Sequence, residues 1–464
     1  MKPVIALVGR PNVGKSTLFN RLTGGRDAIV ADTPGVTRDR QYGNGKLGSR
    51  SYFVVDTGGI TDRFDESTPT GQKSIEDDLR IQTRQAALEA DAIVFVVDAK
   101  EGILPADKEL AIELRKLQKP IALAINKSEG LTRDGASADF YALGFPEPNI
   151  ISAKRGDGVG EMIDEILSAF PGDDEVEEES TDVRVSIVGR PNAGKSTLIN
   201  AIFGEQRVVV SEIPGTTRDS IRIPIVFKGR NYLMIDTAGV RKRARVKDVI
   251  EKFSVIKTLQ AIEEANVVVL VIDGVEGLSE QDASLAGFIL EEGRALVIAV
   301  NKVDQMDAQR IDWVKREIDR RFPFLAFANK HFISAKESKG IGAVFRSIDK
   351  AYEAACKTLS TSRLNRELAR AVERSAPPLV HGRRIKLKFA HQGGKNPPRI
   401  IIHGNQVESV PESYRRYLAN SFRKVFKLEG TPVRIEFRSG DNPYAGRTGG
   451  RKKSVKKRTR RTRK

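Results

Sequence analysis

Val8-Gly9-Arg10-Pro11-Asn12-Val13-Gly14-Lys15-Ser16-Thr17-Leu18 decides the architecture, because the chain writes it again as Val188-Gly189-Arg190-Pro191-Asn192-Ala193-Gly194-Lys195-Ser196-Thr197-Leu198. Both copies have the spacing G-x-x-x-x-G-K-S. Each follows a β-branched run and opens a helix-forming one, the context a phosphate-binding loop requires. The glycines let backbone N–H groups turn inward around a phosphate chain, at a helix N-terminus whose dipole favours anions. One such spacing arises occasionally by chance; two in this context leave chance little room.

The rest of the chain repeats with it. Thr37-Arg38-Asp39 returns as Thr217-Arg218-Asp219, and Asp56-Thr57-Gly58-Gly59 as Asp236-Thr237-Ala238-Gly239, each displaced as Gly189 is from Gly9. Asn126-Lys127 returns as Asn301-Lys302, and Ser152-Ala153-Lys154 as Ser334-Ala335-Lys336. A period this long is a duplicated domain and not a solenoid. Within each copy, runs such as 4–8, 52–55, 93–97 and 121–125 read as strands and 15–22, 75–90 and 107–117 as helices. The second copy repeats the strands at 185–188, 232–235, 267–272 and 295–300. Alternation of this kind predicts an α/β fold with a mostly parallel sheet and helices on both faces.

Residues 1–171 and 183–355 are therefore expected to be two P-loop domains. The acidic stretch 172–182 between them reads as an exposed linker or a solvated helix end. Beyond residue 355 the pattern changes. A helix over 362–374, capped by Ser360 or Thr361, leads to strands at 385–389 and 399–402 around Asn396-Pro397-Pro398. A helix over 412–426 and a strand over 433–437 follow. This α-β-β-α-β order predicts a small α+β domain over 356–440. Residues 441–464 are Gly-rich and then strongly basic, the composition of a disordered tail that orders on a polyanion.

The repeated motifs assign chemistry. Lys15 and Lys195 should reach the β- and γ-phosphates, and Ser16 and Ser196 should offer a hydroxyl to Mg²⁺. Asp56 and Asp236 end strand-like runs, where a carboxylate completes the Mg²⁺ shell, and the N–H of Gly59 or Gly239 approaches the γ-phosphate. Thr37 and Thr217 lie in intervening loops, where a hydroxyl can join the metal site and report the γ-phosphate. The Asp304 carboxylate of Asn301-Lys302-Val303-Asp304 can accept both donors of a guanine edge, which adenine lacks, with Ser334-Ala335-Lys336 as the backing loop. Four motifs in this order predict GTP binding with Mg²⁺, and GTP hydrolysis.

The chain has 464 residues, 78 Lys plus Arg against 61 Asp plus Glu, and a net charge of +17. That excess predicts attraction to nucleic acid or an anionic membrane. No apolar run approaches the ~20 residues a spanning helix needs, and no secretory leader is read at the amino terminus. The single Cys356 excludes a disulfide framework and suits the cytoplasm; as a side chain it reads as small packing material. His331, His381, His391 and His403 lack metal-ligand spacing and read as structural or surface residues, and Trp313 as a helix packing residue.

On these motifs the sequence resembles the translation-factor-related GTPases, and specifically the bacterial EngA/Der double-GTPase family. The shared residues include Arg10-Pro11-Asn12-Val13-Gly14-Lys15-Ser16, Pro214-Gly215-Thr216-Thr217-Arg218-Asp219, Tyr414-Arg415-Arg416-Tyr417-Leu418 and Gly430-Thr431-Pro432. The resemblance covers nearly the whole chain. It implies a KH-like C-terminal domain and a role in assembly of the large (50S) ribosomal subunit, with rRNA or the 50S precursor as partner and the protein monomeric. In related GTPases an Asn at the position of Asn12 and Asn192 coordinates K⁺, which substitutes for an arginine finger.

Two positions depart from the common pattern. Asn126-Lys127-Ser128-Glu129 carries Glu129 where Asp is usual, moving the carboxylate by one methylene. Ile60 and Val240 follow the D-x-x-G segments, where a water-orienting Gln would otherwise stand, so slow intrinsic hydrolysis is expected. Arg415, Arg416, Lys452, Lys453, Lys456, Lys457 and Arg458 are the candidate RNA contacts. No GxxG clamp occurs between Ser362 and Phe437, and the basic cluster Arg241 to Lys247 either couples the second switch to RNA or is a mobile loop. Two other readings remain: a switch at an anionic membrane or a protein partner without RNA, and an RNA-remodelling enzyme using GTP as a clock. The sequence lacks an amphipathic anchor for the first and a second catalytic constellation for the other.

Overall fold

A computed structural model describes residues 2–25, 29–31, 40–57, 83–129, 138–170, 182–204, 208–210, 222–235, 255–380 and 383–439. The chain divides into two compact units. One comprises residues 1–355 with the short segment Glu429–Pro432, the other 356–428 and 433–464.

In the first unit, β1 (Val4–Val8), β2 (Ile29–Ala31), β3 (Arg40–Gly45), β4 (Tyr52–Asp56), β5 (Ala92–Asp98), β6 (Ile121–Asn126) and β7 (Asn149–Ile150) form one sheet in the order β2-β3-β4-β1-β5-β6-β7. β4, β1, β5, β6 and β7 run parallel, and β3 and β2 add an antiparallel edge. The central strands consist of Val, Ile, Ala and Phe because both faces are covered, so no polar alternation is tolerated. α1 (Lys15–Thr23) and α3 (Val159–Leu167) pack on one face, and α2 (Pro105–Arg115) lies on the other. α2 begins two residues earlier than the sequence suggests. Pro105 occupies its first turn, and the Asp107 carboxylate turns back to accept the Leu104 N–H at 3.0 Å, ending the backbone's need for an earlier partner.

The duplicate sheet contains β8 (Val183–Val188), β9 (Val208–Val210), β10 (Arg222–Phe227), β11 (Arg230–Ile235), β12 (Val267–Asp273), β13 (Ala295–Asn301) and β14 (Asn329–Phe332), ordered β14-β13-β12-β8-β11-β10-β9. Its helices are α4 (Lys195–Gly204), α5 (Val255–Glu264), α6 (Glu280–Glu291), α7 (Ala308–Arg321) and α8 (Ile341–Ala355). The two modules share one apolar cluster, which continues from Phe53 of β4 to Phe288 of α6 with ring centroids 5.7 Å apart. Beside it Lys2 Nζ donates to Glu292 at 2.8 Å and the Lys2 N–H to Glu263 at 3.2 Å. Trp313, expected as a packing residue, is instead 42% exposed and lies beneath Arg310, 4.4 Å from its ring centroid. The outward face of α7 carries it because Val314 and Ile318 make up the buried face.

In the second unit, α9 (Thr361–Arg374) and α10 (Glu412–Phe426) pack against a sheet of β17 (Lys386–Gly394), β18 (Arg399–Asn405) and β19 (Arg434–Ser439). The ribbon β15 (Leu379–Val380) and β16 (Arg383–Arg384) precedes it. Asn365 of α9 fixes the register, accepting from the Ala390 N–H at 2.8 Å and donating to its carbonyl at 3.0 Å. The expected α-β-β-α-β elements are present with longer strands than the sequence pattern marks, and the β15–β16 ribbon is an addition the pattern did not mark.

Phe95, fully buried in β5, packs edge-on to Phe145 at 5.6 Å. Phe95→Ala should destabilise the first unfolding transition by about 3–5 kcal/mol, the usual cost of such a truncation. Urea denaturation followed by circular dichroism measures it.

Candidate nucleotide sites

Each phosphate loop occupies the turn between the first strand of its sheet and the following helix, at the carboxyl ends of the parallel strands, where open α/β sheets bind ligands. Its shape requires particular residues. Gly14 and Gly194 have φ of 98° and 94°, and a Cβ there would lie 2.3 Å and 2.1 Å from the Nδ2 of Asn126 and Asn301. Asn12 and Asn192 are left-handed at φ 65° and 63°, a conformation Asn tolerates better than most residues.

The Asn side chains behind the glycines join the two halves of each site. Asn126 Nδ2 donates to the Val13 carbonyl at 2.8 Å, and its Oδ1 accepts from the Ala153 N–H at 2.9 Å. Asn301 repeats this with Ala193 and Ala335, at 3.0 and 2.9 Å. The phosphate loop and the Ser-Ala-Lys loop are thereby one rigid object at each site.

The departure at Glu129 resolves at this level. Ser152 Oγ donates to Glu129 Oε1 at 2.5 Å, as Ser334 Oγ donates to Asp304 Oδ1 at 2.7 Å. These hydroxyls are the leading reason both carboxyls titrate below their ordinary range. The longer side chain still presents an ionised carboxylate over the same serine. Arg21 adds a brace that the second copy lacks, donating from Nε to the Ala153 carbonyl at 3.1 Å and from its terminal nitrogen to the Lys154 carbonyl. Ala201 stands at the corresponding position of the second copy.

Lys127 and Lys302, both left-handed, pair with buried Asp98 and Asp273 at 2.6 and 2.5 Å. These aspartates end β5 and β12, and no sequence motif singled them out. Burial raises their pKa values, but the lysine and nearby N–H groups outweigh it and hold both low. Arg10 turns away from the loop, with Nε on Asp107 at 2.7 Å and a terminal nitrogen on Glu101 at 3.0 Å. Arg190 likewise meets Glu276 at 2.9 Å and approaches Asp282 at 3.9 Å. Both arginines thus tie the loop to the amino-terminal end of another helix, α2 in the first copy and α6 in the second.

The Lys15 ammonium donates to the carbonyls of Gly9 at 2.8 Å and Arg10 at 2.6 Å. Burial pushes its pKa down to about 8, against the opposing charge of Asp56 and with help from Arg10. Asp56 is fully buried at the end of β4, and Thr57 Oγ1 donates to the Leu7 carbonyl at 2.8 Å. Lys195 donates to the Arg190 carbonyl at 2.8 Å. Ser16, Ser196, Pro11, Thr17, Pro191 and Thr197 lie on the same loops and first helical turns. Ser16 and Asp56 supply hard oxygen donors beside the phosphate loop, a set that fits Mg²⁺. Thr37, Gly58, Gly59, Thr217, Asp236, Thr237, Ala238 and Gly239 lie outside the described residues, as do Ile60, Val240, the 241–247 cluster and the tail lysines and arginine.

The expected RNA contacts of the C-terminal domain divide. Arg416 is exposed. Arg415 is used within the domain: it donates to the Ile435 carbonyl at 2.8 Å, contacts Glu412 at 3.3 Å and lies over Phe437.

Two G-x-x-x-x-G-K-S loops, each tied through an asparagine to a Ser-Ala-Lys loop, with one small α+β module after the second copy, define a tandem P-loop GTPase with a KH-like C-terminal domain. The family model described as "50S ribosome-binding GTPase" matches residues 4–127 and 184–302, and that of the "KH-domain-like of EngA bacterial GTPase enzymes, C-terminal" matches 358–438. The curated protein "GTPase Der" of Chromobacterium violaceum is 54% identical over 445 residues, covering 96% of this chain and 93% of its own. That of Burkholderia cenocepacia is 54% identical over 449 residues, covering 96% and 99%. The chain belongs to the GTPase Der family. It binds guanine nucleotide and hydrolyses GTP. An Era structure from Aquifex aeolicus, bound to GDP and aluminium fluoride, is 23% identical over 70% of this chain and 99% of its own. Its TM-score is 0.30, too low to bear on arrangement.

With the second site disabled by Lys195→Ala, GDP binding at the first site should take up a proton near pH 8. Phosphate restores the ammonium that burial disfavours, so affinity falls as pH rises past about 8. Calorimetry in two buffers of different ionisation enthalpy detects the uptake. In the same background Glu129→Ala should weaken GDP by roughly 10- to 150-fold, the value of hydrogen bonds to a charged acceptor. Fluorescent-GDP titration measures it.

Proposed function

We propose that this GTPase is a nucleotide-dependent switch that docks on pre-ribosomal particles during assembly of the large (50S) ribosomal subunit. The observation that carries this reading is the pairing of two P-loop GTPase domains with a KH-like domain in a family described as 50S ribosome-binding. The +17 net charge favours an rRNA surface, and binding of that kind weakens steeply with salt. No helix among the described residues is long and apolar enough to cross a membrane. The working molecule on this reading is a cytoplasmic, ribosome-associated monomer, with GTPase domains over 1–171 and 183–355 and the RNA-directed domain over 356–440.

At each site we assign the phosphates to the loop N–H groups from Gly9 to Thr17 and from Gly189 to Thr197, with Lys15 and Lys195 as the phosphate cations. Glu129 and Asp304 hold the guanine edge, backed by Ser152-Ala153-Lys154 and Ser334-Ala335-Lys336. Ser16 and Asp56, joined by Thr37, hold Mg²⁺, and Ser196, Thr217 and Asp236 do so in the second copy. Bound there, the metal neutralises charge on the β- and γ-phosphates. Asn12 and Asn192, held left-handed at the loop mouth, are assigned to K⁺.

Purified protein should pellet with 50S subunits in a manner that differs between a GTP analogue, GDP and no nucleotide. The dependence should vanish in Lys15→Ala or Lys195→Ala. Indifference to nucleotide removes the switch, and stronger co-sedimentation with anionic liposomes than with subunits replaces the RNA partner by a membrane. GTP turnover should be several-fold faster in K⁺ than in Na⁺ buffer; equal rates remove the K⁺ assignment.

A further inference from the structure

Three rings cluster on the sheet of the KH-like domain, each within 6.2 Å of the others. Alternation along β17 and β18 sends Ala390, Ile400 and Ile402 into the core and turns Phe389, His391 and His403 to the opposite face. Phe389 and His403 are cross-strand partners whose rings stack at 4.3 Å with planes 6° apart. His391 stacks on His403 at 5.2 Å and 21°. Arg438 is the β19 partner of His403, and Lys386 and Lys388 are exposed along β17. Glu436 is the one carboxylate on this face of β19, and it is engaged by Arg399 at 3.2 Å and Arg438 at 3.7 Å.

Core packing does not account for this cluster, because Phe389 is 47% exposed. Metal binding does not account for it either. Stacked imidazoles point their nitrogens side by side and not at a common point, and no group of three ligating side chains occurs among the described residues. Burial, then His391 and Arg438, lower the His403 pKa, which favours a neutral, stackable ring. Parallel π-surfaces on a sheet, rimmed by cations, suit unpaired nucleobases: bases stack on the rings while phosphates meet the cations.

We propose that Phe389, His403 and His391 form a stacking platform for unpaired RNA bases, with Arg438 and Lys388 holding the adjoining phosphates. This rests on the reading that the partner contains RNA, and it puts recognition on the sheet face and not on a GxxG loop.

Full-length protein is titrated with a short fluorescein-labelled oligoadenylate and, separately, with an RNA duplex. Phe389→Ala should weaken the single strand by roughly 5- to 150-fold, the value of one base–ring stack. Its salt dependence and its duplex affinity should stay unchanged. Phe389→Trp should keep the affinity and gain an emission that RNA quenches, and Arg438→Ala should reduce the salt slope by about 1. Single-strand affinity equal to the parent in both Phe389→Ala and His403→Ala overturns the platform, as does failure of the parent to bind the oligonucleotide. If the same variants still pellet with 50S in a nucleotide-dependent way, the platform falls alone and the ribosome reading stands.

Discussion

Everything functional in this chain hangs on a carboxamide used twice. Asn126 and Asn301 each span the gap between a phosphate loop and a base loop, giving a donor to one and an acceptor to the other. Both groups are buried, so neither loop can shift without stranding a polar atom away from water, at a cost of about 1–3 kcal/mol. The same side chain explains why the loop residue facing it must be glycine: Gly14 and Gly194 leave the space that the amide nitrogen fills. The two loops of each site are therefore tied to one another before any ligand arrives.

The outer parts follow from that centre. Lys127 and Lys302 follow the bridging asparagines, and their left-handed backbones swing their stems onto Asp98 and Asp273 at the ends of neighbouring strands. Arg10 and Arg190 carry the tie to α2 and α6, where Asp107 and Asp282 already serve the first turn.

Strands of uninterrupted Val, Ile and Ala are legible because a doubly covered parallel strand admits little else, and the P-loops are legible because their glycines and lysine answer local needs of a phosphate chain. The α-β-β-α-β order was likewise readable from local periodicity. What escaped reading were pairings between distant residues: Asp98 with Lys127, Asp107 with Arg10, and Arg21 with the Ser-Ala-Lys loop. Each is an ordinary charge in the sequence, and only the crossover topology makes it a neighbour. Phe389, His391 and His403 escaped for the same reason. Two histidines twelve positions apart carry no signal until a hairpin pairs their strands. Trp313 was misread because helical spacing alone does not reveal which face is covered.

The one-methylene difference between Glu129 and Asp304 gives the protein two locks of different depth. Both carboxylates rest on a serine hydroxyl, yet the glutamate reaches further from its backbone. On the proposed assignment of these carboxylates to the guanine edge, an analogue with a bulkier donor edge would be crowded at the first lock and accommodated at the second. On that assignment the duplication left a chemical address on each copy, by which one site could be filled while its twin is left to the natural nucleotide.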